Sequence, residues 1–139
     1  MQEIETRTVV NSLIEEGVLK VVVKENVNLT LKDAQDNYKA AVQLTNGKRF
    51  SVLVEGHDFV TIDDDAREFS STAEAFVNTI AMAIVVRSLS TRLLGLFLLQ
   101  LNKRNHKTDI KLFKNGDVAL LWIKEKMKAD KLRQLDPAR

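Results

Sequence analysis

Apolar positions along this chain change period several times, and each change marks an element. The stretch "TRTVVNSLIEEGVLKVVVK" predicts two strands turning near Glu16 and Gly17, with Val21, Val22 and Val23 favouring extended backbone. Thr30 with Asp33 three residues on forms a capping box. Leu31, Ala34, Tyr38, Ala41 and Val42 then recur at helical spacing, and Asn46-Gly47 closes the helix. "RFSVLVEG" predicts a third strand. Ala66, Phe69, Ala73, Phe76 and Val77 mark a second helix just after a run of aspartates. "TIAMAIVV" reads as a strand covered on both faces, as in a parallel sheet. "STRLLGLFLLQLNK" predicts a third helix and "DIKLF" a last strand. Asn115 caps a fourth helix with Ala119, Trp122, Ile123 and Met127 on its inner face.

The expected order is β-β-α-β-α-β-α-β-α. Strands alternating with helices imply an α/β fold with a single mixed, mostly parallel sheet, an N-terminal hairpin and four helices joined through right-handed crossovers. One proline and five glycines suit short loops, and 139 residues suit one domain. That domain is expected over 1–128, followed by a charged, fraying tail at 129–139.

The third predicted helix has two apolar sides. At ~100° per residue, Leu93, Leu94, Phe97 and Leu101 share one face, while Leu98 and Leu99, beside Gly95, point roughly the opposite way. One sheet can bury only one of them. The expected solution is a homodimer interface at Gly95, Leu98 and Leu99, the glycine allowing close approach. The alternatives are a lipid or other apolar ligand in a pocket at Leu94, Phe97 and Leu101, a membrane surface met with Arg92, Lys103 and Arg104, or neighbouring helices of the same chain.

Composition narrows the classes. Hydrophobic residues make up 45% and charged residues 29%, and 21 basic against 19 acidic residues give a net charge of +2. That balance offers no argument for nucleic acid. Cysteine is absent, which excludes disulfides, a thiol nucleophile and cysteine zinc sites. The apolar runs at 80–86 and 93–99 fall far short of the ~20 residues that span a bilayer. The first residues have no basic segment leading into an apolar core. A cytoplasmic protein without integral membrane association is expected.

Catalytic motifs are missing. No G-x-S-x-G, G-x-G-x-x-G or P-loop pattern occurs, so neither an enzyme nor a cofactor is expected. His57 and His106 lie far apart in sequence; His57 beside Asp58 offers a base or ligand, but a plain loop histidine is the preferred reading. "NKRNHK" (102–107) reads as a solvated basic loop, and Trp122 with Phe113 as core.

"TIDDDAREF" (61–69) raises the remaining question. Carboxylates at a helix start accept from unpaired first-turn N–H groups and oppose the helix dipole, and capping is the plain reading. Consecutive residues rarely converge on one cation, so no metal is expected. The third reading is a recognition surface, because functional groups of open α/β sheets gather at the carboxyl ends of the strands. Asp63, Asp64, Asp65, Arg87, Ser88 and Lys114 are therefore predicted to share one partner-binding rim.

The element order resembles the STAS fold of bacterial anti-sigma-factor antagonists across nearly the whole chain. "VLVEGHDFVTIDDDA" looks like that family's strand, loop and helix-start segment. "AIVVRSLSTRLLGLFLLQLNK" with "KLFKNGDVALLWI" resembles more closely a group of uncharacterised bacterial STAS-like proteins. The resemblance implies helices packed mainly against one sheet face, and a role in protein switching or, in other relatives, lipid binding. Signalling members carry a phosphorylatable Ser or Thr at the start of the second helix; here that position falls at Asp64 or Asp65, which a serine kinase cannot modify. The expected function is a non-catalytic interaction or regulatory module acting as a homodimer with an unidentified protein partner. A carrier or sensor of a lipid or other apolar molecule is the alternative.

Overall fold

Val18 and Leu19 adjoin in sequence, are both buried, and belong to two different cores. That split is the plan of the fold, a sheet packed on both faces, as seen in a computed structural model of the chain. The structure describes residues 2–57, 60–70, 72, 78–88 and 108–135. Along them run β1 (Gln2–Glu5), β2 (Val9–Glu15), β3 (Val18–Val23), β4 (Asn28–Leu29), α1 (Leu31–Thr45), β5 (Phe50–Glu55), β6 (Thr61–Ile62), α2 (Asp64–Ser70), β7 (Thr79–Val85), β8 (Asp109–Phe113) and α3 (Gly116–Leu135).

Six strands form one sheet in the order β1-β2-β3-β5-β7-β8. The first two pairings are antiparallel; β3 with β5, β5 with β7, and β7 with β8 are parallel. This is the expected α/β class with a mixed, mostly parallel sheet. Strand β1 was not expected: "QEIE" alternates weakly, and its side chains lie largely in solvent at the sheet edge. β4 and β6 make a separate parallel two-stranded ribbon.

Local chemistry fixes the ends of the elements. Gly17 takes φ +76° in the β2–β3 turn, a conformation closed to most L-residues. Thr30 and Asp33 form the capping box at the start of α1, and Asn46 in the left-handed region ends it. Asn115 Oδ1 accepts from the Asp117 and Val118 N–H groups at 2.7 and 3.2 Å, capping α3.

Alternation along the strands sorts the cores. Val18, Leu53, Ala83, Val85 and Phe113 face α3, meeting Ala119 and Ile123. Leu19, Phe50 and Val52 face the other way, toward Leu44 and Ala41 of α1. Ala83 and Ala119, both fully buried, let α3 lie close over β7. α2 packs beside α1. Among the described residues, α1 with α2 beside it lies over one face and α3 over the other.

Two further expectations change. α3 continues to Leu135, so residues 129–135 of the anticipated fraying tail are helical. The reason is long-range: Asp130 is buried and bonded to Arg49. The third predicted helix and residues 73–77 of the second lie outside the described residues, which contain three helices rather than four.

Candidate functional site

The parallel strands β5, β7 and β8 end at one edge, where Glu55 at the end of β5, Arg87 just past β7 and Lys114 just past β8 wall a cleft of about 430 Å³ with the first turn of α3. Its lining includes Lys20, Glu55, Arg87, Lys114, Asn115 and Asp117. Side-chain parity puts them there. Lys20, Glu55 and Arg87 have the same parity as Val18, Leu53 and Val85, so they extend the α3 side of the sheet. The Val86 N–H donates to the Phe113 carbonyl at 2.7 Å, which carries β7–β8 pairing one step further and sets Arg87 near Lys114.

Glu55 is the centre of the cleft. Its carboxylate lies 3.8 Å from Lys20 Nζ and 3.7 Å from the Arg87 guanidinium. Both distances exceed hydrogen-bond range, so one carboxylate balances two cations by charge without being locked to either. A methyl group added at Gly116 would sit 3.4 Å from Glu55 Oε1, so the carboxylate also lies against the positive end of α3. With Lys114 and Asp117 included, the wall carries three cations and two carboxylates.

The three aspartates do not line this cleft. Asp63 accepts from the Asn28 side chain at 3.0 Å and, through its carbonyl, from the Arg67 N–H at 3.0 Å. Asp64 is almost wholly exposed and lies 4.0 Å from Arg67. Asp65 accepts from the Ala66 N–H at 2.8 Å, a contact between neighbours within the first turn of α2. Of the predicted rim, Arg87 and Lys114 line this cleft and the aspartates do not. Arg87 and Lys114 gather beside the first turn of α3, while the aspartates start α2, which packs beside α1. Ser88 follows Arg87 but is not on the cleft wall.

A second polar cluster ties the start of α1 to the β4–β6 ribbon. Arg7 donates to both carboxylate oxygens of Asp33 and, at 2.6 Å, to the Asn28 carbonyl. Asp33 also accepts from the Thr30 N–H and hydroxyl, each at 2.9 Å. The Arg7 guanidinium, helped by Thr30, outweighs burial and holds the Asp33 carboxyl at about 2, below the ordinary 3.8. Arg7 is itself raised by the same bond. His57 donates from Nδ1 to the Val23 carbonyl at 2.8 Å, a structural contact in keeping with the plain reading of this residue.

Sequence reasoning missed Lys20, Glu55 and Asp117. A signal was available. Lys20 is the one charge among apolar neighbours in β3, and Glu55 is the one charge in β5. Gly95, Leu98 and Leu99, and the pocket residues Leu94, Phe97 and Leu101, lie outside the described residues. Among the described residues no three His, Asp or Glu side chains gather to hold a metal, and no helix is long and apolar enough to cross a membrane.

Residues 12–127 match the family described as a domain of unknown function (DUF7793), and the chain belongs to that family. No curated protein matches the sequence. No solved structure matches it either.

Proposed function

We propose that this member of the DUF7793 family is a non-catalytic protein-interaction module of STAS-like architecture, cytoplasmic and acting as a homodimer. One observation carries the reading: the open cleft at the carboxyl edge of the sheet, where Glu55 faces Lys20 and Arg87 at 3.8 and 3.7 Å without a hydrogen bond to either. Charged groups on a partly exposed edge offer a partner complementary charge, and such contacts give orientation and encounter rate more than raw affinity. Arg87 and Lys114 both line the cleft and are exposed. The STAS-like reading is supported by element order and by the parallel β3-β5-β7-β8 arrangement. An aspartate where signalling relatives carry Ser or Thr points away from a phosphorylation cycle at α2. The experiment is capture of a protein from extracts of the native host by the wild-type chain, compared with an Arg87→Glu/Lys114→Glu variant. Loss of the captured protein supports the reading.

A further inference from the structure

We propose that the outer face of α3 is a self-recognition surface on which a second copy of this chain packs antiparallel. It rests on the homodimer part of the proposed function, and it places the contact on a helix whose side chains are described. The inner face of α3 is committed to the sheet through Ala119, Ile123 and the buried Asp130. On the opposite side, Val118, Leu121, Leu132 and Leu135 are 53, 62, 54 and 82% exposed. Exposed Glu125 and Lys128 complete the row. The six positions follow each other at steps of three and four, which is the a/d spacing of a coiled-coil seam, and they fall within an arc of about 100°.

The content of the row specifies its partner. Two antiparallel copies bring each a position against a d position of the other. A two-fold axis passing beside the helix between residues 126 and 127 then sets Val118 against Leu135, Leu121 against Leu132, and Glu125 against Lys128 of the second copy. All three pairings share that one centre, so a single symmetry operation makes apolar layers at both ends and two opposite-charge pairs in the middle. A parallel pair would instead place Glu125 on Glu125 and Lys128 on Lys128. A lipid surface would have to take up the Glu125 carboxylate in the middle of the stripe, which costs more than exposure does. Self-pairing in the antiparallel sense is the arrangement that the row of charges favours.

The chain has no cysteine, so introduced thiols are the only ones present. Leu121→Cys and Leu132→Cys proteins are purified separately, mixed and oxidised. The mixture should yield a disulfide-linked dimer. Either variant alone should yield little, because position 121 lies about 16 Å along the axis from its own copy and a disulfide needs Cα atoms within roughly 7 Å. In parallel, Glu125→Lys should weaken the dimer roughly tenfold by sedimentation, and Glu125→Lys/Lys128→Glu should restore it. Cross-linking of Leu121→Cys with itself as efficiently as the mixture overturns the arrangement, and so does a double variant as weak as the single. A wild-type dimer unaffected by Leu121→Asp/Leu132→Asp moves the interface elsewhere and overturns the inference while leaving the homodimer intact. A monomer at all concentrations overturns both. A monomer that binds vesicles of mixed anionic and zwitterionic phospholipid through this face assigns it to a membrane instead.

Discussion

The Arg49 guanidinium grips the Asp130 carboxylate with two nitrogens, Nε at 3.2 Å and an outer nitrogen at 2.6 Å, across 81 residues of sequence. Asp130 is buried near the end of α3, and Arg49 immediately precedes β5. The pair fastens the end of α3 to the sheet and raises the pKa of Arg49. Two charge-assisted bonds in fixed fork geometry are the strong kind of surface ion pair. Asp130→Ala should therefore cost about 1.5–3 kcal/mol in chemical denaturation. Amide exchange should accelerate most over residues 129–135. Unchanged exchange there would show that the helix end is held by something else.

Asp33 gives the fold an acid-sensitive point. Its folded-state pKa is about 2 against 3.8 ordinarily, first through the hydrogen bond from Arg7. A depressed carboxyl contributes stability that is complete above its unfolded value and is lost as pH falls through its folded value. The gap in melting temperature between wild type and Asp33→Asn should thus be constant above about pH 5 and close as pH falls from 4 to 2. A gap that holds its size at pH 2 would contradict the assignment. Thr30→Ala, which removes the other half of the capping box, should cost about 1 kcal/mol at neutral pH.

Ile123 is fully buried where α3 meets the sheet, packed with Val85, Phe113 and Ala83. Ile123→Ala should cost about 2–5 kcal/mol, the range for a large-to-small change in a packed core. Leu121→Ala, two residues earlier on the exposed side of the same helix, should change the stability of the monomer by less than about 0.5 kcal/mol. Equal costs at the two positions would mean that the inner and outer faces are assigned wrongly.

What the sequence revealed follows from how far each signal reaches. Thr30 with Asp33, Asn46-Gly47 and Asn115 act on backbone groups within a few residues, and the structure has these caps where the residues predict them. The β7 segment carries its own burial in a run of apolar residues, and its interior place in the sheet, paired on both sides, agrees. Signals failed where a partner was distant. Nothing near Asp130 announces Arg49, so a charged helix end read as a fraying tail. Strand order pointed to Arg87 and Lys114 at strand ends, and both line the same cleft. It could not say that the aspartates at the start of α2 would stay off the cleft, with Asp63 bonded to the β4–β6 ribbon instead. Parity along β3 and β5 would have supplied Lys20 and Glu55. The outer row of α3 was visible as heptad spacing, but apolar residues on both sides of the helix drew attention to the inner face alone.

The central claim, that this chain works by contact with another protein through the edge at Arg87 and Lys114, is tested most directly by quantitative capture from extracts of the native host. Three baits are compared: wild type, Arg87→Glu/Lys114→Glu, and Lys39→Glu/Lys48→Glu as a charge-matched folded control whose exposed residues lie away from both the cleft and the outer face of α3. A protein retained by the wild type and the control, and reduced at least about tenfold by reversal of the edge charges, is the expected result. Equal retention by all three baits, or no protein retained above background by the wild type, would contradict it.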